Sequence, residues 1–255
     1  MNYESTRGSR QLQKSPRAII QGMAEDRGLY VPERIPALPL SPEEMKGMSY
    51  RQIAFEIIRS FFDEFTDEEM KGCIEGAYDD KFEAKEIVPL AKAGGAWFLE
   101  LYHGKTAAFK DMALSILPYL MTVSCRKEGE KDKICILTAT SGDTGKAALE
   151  GFAGVEGTEI IVFYPQHGVS QVQERQMVSQ EGDNTHVIAI RGNFDDAQTG
   201  VKKIFADDKT ASELAAGGVR LSSANSINIG RLVPQVAYYV YAYVKMLENG
   251  ALKAG

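Results

Sequence analysis

The apolar positions in the second half of the chain fall in short runs separated by longer amphipathic stretches. Runs at residues 134–138, 159–164, 186–190 and 219–221 each precede a helical pattern, the last beginning near Ser226 and reaching about Leu247. Short buried runs alternating with helices predict right-handed βαβ units and a parallel sheet. Upstream the pattern is different. Residues 1–85 read as a mainly helical N-terminal unit: Ser15-Pro16 opens a short helix ending near Asp26-Arg27-Gly28, and residues 29–32 are extended. Three capping boxes follow, Ser41-x-x-Glu44, Ser49-x-x-Gln52 and Thr66-x-x-Glu69, each predicting a helix start. The second helix carries Ile53, Ile57, Ile58, Phe61, Phe62 and Phe65 on one side, a stripe that needs a surface to bury it.

Between these regions, residues 87–90 and 96–101 predict a hairpin turned at Gly94-Gly95, which feeds the segment Tyr102 to Met112. A helix is expected from Ala107 to Met121, with Thr106 as its N-cap and Ala113, Leu114, Leu117, Leu120 and Met121 on one face. The expected division is residues 1–85 as the helical unit, 86–125 as the first part of a larger domain, and 126–255 as a small α/β domain with a connecting helix.

Composition narrows the chemistry. A net charge of −6 and a pI near 5.3 argue against non-specific binding to nucleic acid or anionic membranes. Cys73, Cys125 and Cys135 form no C-x-x-C pair and only three histidines are available, which supports neither a disulfide framework nor a zinc site. The first fourteen residues are polar and no stretch approaches the roughly 18 apolar residues of a membrane span, so a cytoplasmic location is expected.

Lys110 is the first candidate. Set between Phe109 and Asp111 in the first turn of the expected helix, its amine meets apolar neighbours and the positive end of a helix dipole. Both promote the neutral form that adds to carbonyls; the bland alternative is a surface lysine. His103, beside Gly104, is placed to line the same site. A second candidate is the loop of Ser141, Gly142, Asp143, Thr144 and Gly145, which follows one strand and opens the next helix near Lys146. Ligands bind there in open α/β sheets, and free N–H groups suit a carboxylate or phosphate. The alternative is a tight turn with a capping side chain. A nucleotide loop of the Walker type is excluded, because Ala147 follows Gly145-Lys146 and no glycine stands at position 140. Gly192 to Asp196 reads as an N-cap with acidic first-turn residues. Asn225, Ser226, Asn228 and Arg231 place amides, a hydroxyl and a guanidinium around another helix start. They suit a dianionic phosphate, unless Arg231 pairs with a core carboxylate.

The stretch His103-Gly104-Lys105-Thr106-Ala107-Ala108-Phe109-Lys110-Asp111 resembles the lysine motif of threonine synthases, with Lys105 where that family usually has proline. The similarity extends along the chain: Ser5-Thr6-Arg7-Gly8, Gly28-Leu29-Tyr30-Val31-Pro32, the 141–145 loop, residues 192–198 and residues 225–231 occur in the family's order. It implies the tryptophan-synthase-β-like fold of pyridoxal-phosphate enzymes and the conversion of O-phospho-L-homoserine and water to L-threonine and phosphate. Lys110 would be bonded to pyridoxal 5'-phosphate, with Phe109, Ser141, Asp143 and Thr144 also at the cofactor. Ser141 to Gly145 would hold the substrate carboxylate, Asn225 to Arg231 would lie near the substrate phosphate, and His103 would line the site. The resemblance further implies that the cofactor's phosphate loop lies beyond residue 255, leaving an incomplete cofactor domain with an exposed apolar face. Two alternatives share this ancestry: a non-catalytic protein binding a phosphorylated metabolite or a partner, and another lyase of the fold such as a threonine dehydratase.

Overall fold

In the computed structural model, which describes residues 1–253, the chain begins with a small antiparallel sheet. Its strands are β1 (Asn2–Ser5), β2 (Gln13–Lys14) and β3 (Tyr30–Pro32), in the order β2-β1-β3. Tyr3 and Ser5 point inward while Glu4 points out, so the polar opening segment alternates as an edge-forming strand does. Helix α1 (Ser15–Gln21) follows β2 directly. Ser15 is its first residue and not its cap, and the helix stops at Gly22, where a left-handed φ of 70° ends it well before Asp26.

Helices α2 (Tyr50–Phe61) and α3 (Asp67–Ala77) start at Ser49 and Thr66, each with both hydrogen bonds of the capping box. The third box forms its bonds without a helix: Ser41 and Glu44 exchange them, but the stretch to Gly47 is a series of turns, closed by a φ of 79° at that glycine. The stripe from Ile53 to Phe65 is buried throughout and packs α2 against α3 and the last helix. Burying side chains of this size stabilises by about 1.5–3 kcal/mol each, which is why the stripe dictates where α2 lies.

Strands β4 (Leu90–Ala93) and β5 (Ala96–Leu99) form the expected hairpin, with Gly94 and Gly95 both at positive φ in the two-residue turn. The first strand starts later than the pattern suggested, because Ile87 sits in the left-handed region at φ 65° and cannot be part of it. The single helix expected from Ala107 is two helices. Residues 106–110 are turns, α4 (Asp111–Leu114) is one turn long, and α5 (Leu117–Glu128) restarts with Pro118 at its second position. Proline has no N–H to donate to an upstream carbonyl, so it fits the start of α5 and not the middle of a longer helix.

The remaining elements make the α/β layer: β6 (Lys133–Ala139), α6 (Asp143–Phe152), β7 (Thr158–Pro165), α7 (Gln171–Val178), β8 (Thr185–Ile190), α8 (Phe194–Phe205), α9 (Asp208–Ala216), β9 (Val219–Ser222) and α10 (Ile229–Glu248). The four strands are parallel in the order β8-β7-β6-β9, with Ile134 opposite both Thr158 and Arg220. Strand β6 is covered on both faces. Ile134 and Ile136 join the main core shared with α1, α2, α5 and α10, while Cys135, Leu137 and Ala139 pack with Ala197 and Val201 of α8. Asn193 caps α8 as the acidic start suggested, and α10 begins at Ile229, not near Ser226, with Asn228 as its cap.

Helix α6 touches the lysine-bearing segment at Gly151, where an added Cβ would lie 2.3 Å from the Leu114 carbonyl oxygen. Gly151→Ala is expected to lower unfolding free energy in a urea titration by roughly 1–3 kcal/mol. Gly72→Ala, at an exposed position of α3 with open space around it, should raise it by up to about 1 kcal/mol. Equal effects at the two positions would show that α6 does not pack on α4 this closely.

Candidate functional site

The sheet order reverses at β6: α6 and α7 carry the chain outward to β8, and β9 then pairs with the opposite edge of β6. The carboxyl ends of β6 and β9 lie side by side at this reversal, the usual ligand position in open α/β sheets. The 141–145 loop leaves β6 and the 223–228 segment leaves β9, and the Asn225 side-chain amide donates to the Ala139 carbonyl at 3.3 Å. The two segments are thereby neighbours.

Thr140, fully buried, organises the first loop. Its hydroxyl accepts the N–H groups of Gly142 and Gly145, each at 2.9 Å, and donates to the Gly142 carbonyl. Gly142 holds a φ of 146°, with the Gln173 amide where a Cβ would sit; Gly145 is closed in by Thr140, Val162 and Met177. Both glycines serve close approach. Helix α6 then starts at Asp143, and the N–H groups of Asp143 and Thr144 have no acceptor among the described residues. The exposed Ser141 stands at the same opening.

Lys110 meets this loop. Its amine lies 3.7 Å from Asp143 Oδ2 and 4.3 Å from the centre of the Phe109 ring, with the side chain 19% exposed. The expected apolar first-turn setting is therefore corrected: Lys110 precedes α4, and its amine faces a carboxylate. Asp143 is itself held by Gln173, whose side-chain N–H donates to Oδ1 at 2.7 Å. Gln173 is a residue that sequence reasoning missed. Its place in the Ser170-x-x-Gln173 capping box signals a helix start, but nothing local tells that the amide also reaches Asp143.

Thr106 is not a helix cap. Its N–H and hydroxyl both donate to the Asp111 carboxylate, at 2.9 and 2.6 Å. Ala107 turns through φ 54°, and an added Cβ on Gly104 would come within 2.5 Å of Asp111 Oδ2. Burial raises the Asp111 pKa above the usual carboxylate value against the bonds from Thr106. Ionisation is thus disfavoured by folding, and the stability this group contributes falls as pH rises through that raised value. Lys105, where the motif usually has proline, pairs with Glu150 of α6 at 3.4 Å. A cavity of about 760 Å³ lies behind the loop, lined by Asp111, Lys105, Glu150, Tyr119, Arg126 and others. His103 bonds Glu100 through Nε2 at 2.8 Å, lowering the Glu100 pKa, and its ring lies against Tyr102.

The second segment divides into two roles. Asn228 is fully buried: it donates to the carbonyls of Ile19 and Ser223 and accepts from Gly230, so its side chain is structural and not presented to a ligand. Asn225 is half-buried and Ser226 exposed. Arg231 is buried with no carboxylate in ion-pair range among the described residues; it donates to the Ala224 carbonyl, its Nε has no partner, and burial lowers its pKa to about 10.

A parallel sheet reversing at β6, a glycine loop at that reversal and a lysine brought against it place the chain in the class of α/β proteins built like the β chain of tryptophan synthase. Residues 2–78 match the family described as threonine synthase N terminus. The chain is similar to the threonine synthase of Pseudomonas aeruginosa, 41% identical over 251 residues, covering 96% of this chain and 51% of the relative. It is similar also to that of Schizosaccharomyces pombe, at 36% identity with 98% and 49% covered. A crystal structure of pyridoxal-phosphate-bound threonine synthase from Brucella melitensis superposes with a TM-score of 0.85 at 36% identity, covering 96% of this chain and 52% of that one. Over nearly its whole length the chain is thus similar to threonine synthases. It spans about half the length of the relatives it matches.

The two buried polar residues of the second segment should respond oppositely to truncation. Asn228→Ala strands three backbone groups and is expected to cost about 2–4 kcal/mol. Arg231→Met, removing an unpaired buried cation, should leave thermal stability unchanged or raised. A large loss of melting temperature in Arg231→Met would show that the guanidinium holds the fold together.

Proposed function

We propose that this chain carries the lysine-bearing half of a threonine synthase active site, acting on O-phospho-L-homoserine and water to give L-threonine and phosphate. The observation that carries the reading is the meeting of three separate segments, around Lys110, Asp143 and Asn225, at the reversal point of the sheet. The similarity to the threonine synthase of Pseudomonas aeruginosa supports it, and so does the similarity to a threonine synthase solved with pyridoxal phosphate. The donor set fits that cofactor: a half-buried primary amine beside a glycine loop with unused N–H groups.

Pyridoxal 5'-phosphate, held covalently by Lys110 and flanked by Phe109, Ser141 and Thr144, would supply an electron sink that acidifies the substrate α-proton. Once the substrate's amino group has displaced it from the cofactor, the Lys110 amine would be the group to take that proton and return it at another carbon; without cofactor its counter-ion is Asp143, held by Gln173. The N–H groups of Asp143 and Thr144, with the Ser141 hydroxyl, would bind the substrate carboxylate at the start of α6. Arg231, a buried cation with no carboxylate in ion-pair range among the described residues, adds positive charge beside the 223–228 segment. With Asn225 and Ser226 it would hold the phosphate that departs from the γ-carbon, while water adds at the β-carbon. The alternative of a threonine dehydratase gains no support from the family match at residues 2–78.

Incubation with pyridoxal phosphate followed by borohydride reduction and peptide mapping tests the central assignment. The label is expected on the peptide carrying Lys110 and should be lost in Lys110→Ala. Equal labelling of wild type and variant would remove Lys110 from its proposed role.

A further inference from the structure

We propose that Asp111 is the positioning residue for Lys110: its carboxylate clamps the 104–110 loop through Thr106 and so fixes where the amine is presented. The inference rests on the reading of Lys110 given above. Asp111 is 4% exposed, and no cation lies in ion-pair range among the described residues. Both its oxygens accept from one residue, Thr106, five positions earlier in the chain. A buried carboxylate without a counter-ion is unfavourable compared with an apolar side chain of similar size, so packing alone gives no reason for an acid here. Its donors all come from the loop.

Local geometry fits a clamp. The loop crosses a left-handed Ala107, a conformation that non-glycine residues leave readily when nothing holds them. Gly104 allows the carboxylate to approach the backbone where any side chain would collide with it. On the other side of Lys110 the backbone is already fixed, because its carbonyl accepts the Leu114 N–H at 2.9 Å and starts α4. The lysine is thus held from its C-terminal side by a helix and from its N-terminal side by Asp111. Asparagine at position 111 could keep both bonds, its oxygen accepting the Thr106 N–H and its amide donating to the hydroxyl. The clamp therefore depends on hydrogen-bond geometry and not on charge.

Amide hydrogen exchange of the peptides spanning residues 102–112, measured without cofactor on wild type, Asp111→Asn, Asp111→Ala, Thr106→Val and Gly104→Ala, tests this directly. Asp111→Ala and Gly104→Ala should speed exchange in the loop by about tenfold or more, with β6 and α10 unchanged. Asp111→Asn should stay within about threefold of wild type and Thr106→Val should fall between. The rate of borohydride-fixed labelling of Lys110 by pyridoxal phosphate should fall in the same order. Wild-type exchange in Asp111→Ala overturns the proposal, as does an Asp111→Asn loop as loose as Asp111→Ala, or a loosened loop with unchanged labelling. If Asp111→Ala fails to fold, Thr106→Val and Gly104→Ala carry the comparison. Absence of label on wild-type Lys110 would count against the cofactor reading, and the order of exchange rates would then decide the clamp alone.

Discussion

Parallel pairing of β9 with the free edge of β6 is the constraint on which the site depends. Had the last strand continued outward beyond β8, both β7 and β8 would separate the loop after it from Ser141, and the two segments could not meet. Because β9 returns to β6, the ends of two adjacent strands lie at the same edge, and the Ser223 hydroxyl and Asn225 amide donate to the Leu137 and Ala139 carbonyls and tie the segment after β9 to β6. Strand β6 tolerates this central position because its side chains are apolar on both faces. The hydroxyl of Thr140, at its end, then turns the chain into α6.

Much of this was legible in the order of residues, and the reasons differ from place to place. The strands of the parallel sheet and the stripe on α2 show themselves because burial imposes a period on the chain itself. Residues 29–32 read as extended and form β3, but β1 and β2 beside it were missed, since a two-residue strand has no period and exists only through its partner. Thr106 reads as a cap by residue type, yet the stronger acceptor five residues later takes both its donors and moves the helix start to Asp111. Ser41 and Glu44 complete every local bond of a capping box and still start no helix, because no apolar stripe follows to hold one down. Asn228, grouped with ligand residues by its neighbours, is buried under α1. Gln173 gave no signal at all beyond its cap.

The cations of the site are handled in contrasting ways. Lys110 rests against a half-exposed carboxylate that a second residue holds in place, a weak and solvent-screened attachment that can be given up. Arg231 has no carboxylate in ion-pair range among the described residues and sits where burial makes its charge unfavourable. One group is tethered and the other is left unmatched.

The bond from Asn228 to the Ile19 carbonyl joins positions 209 residues apart. A ribosome delivers the chain from its N-terminus, so α1 is made long before the residue that caps α10 and closes over it. Until then the surface of α1 and α2 that α10 covers stays open to water, Tyr50 included, whose ring lies against Tyr241 in the finished structure. The helical unit that comes first in the chain is thus closed only after α10 has been made, and during that interval part of its apolar stripe stays exposed.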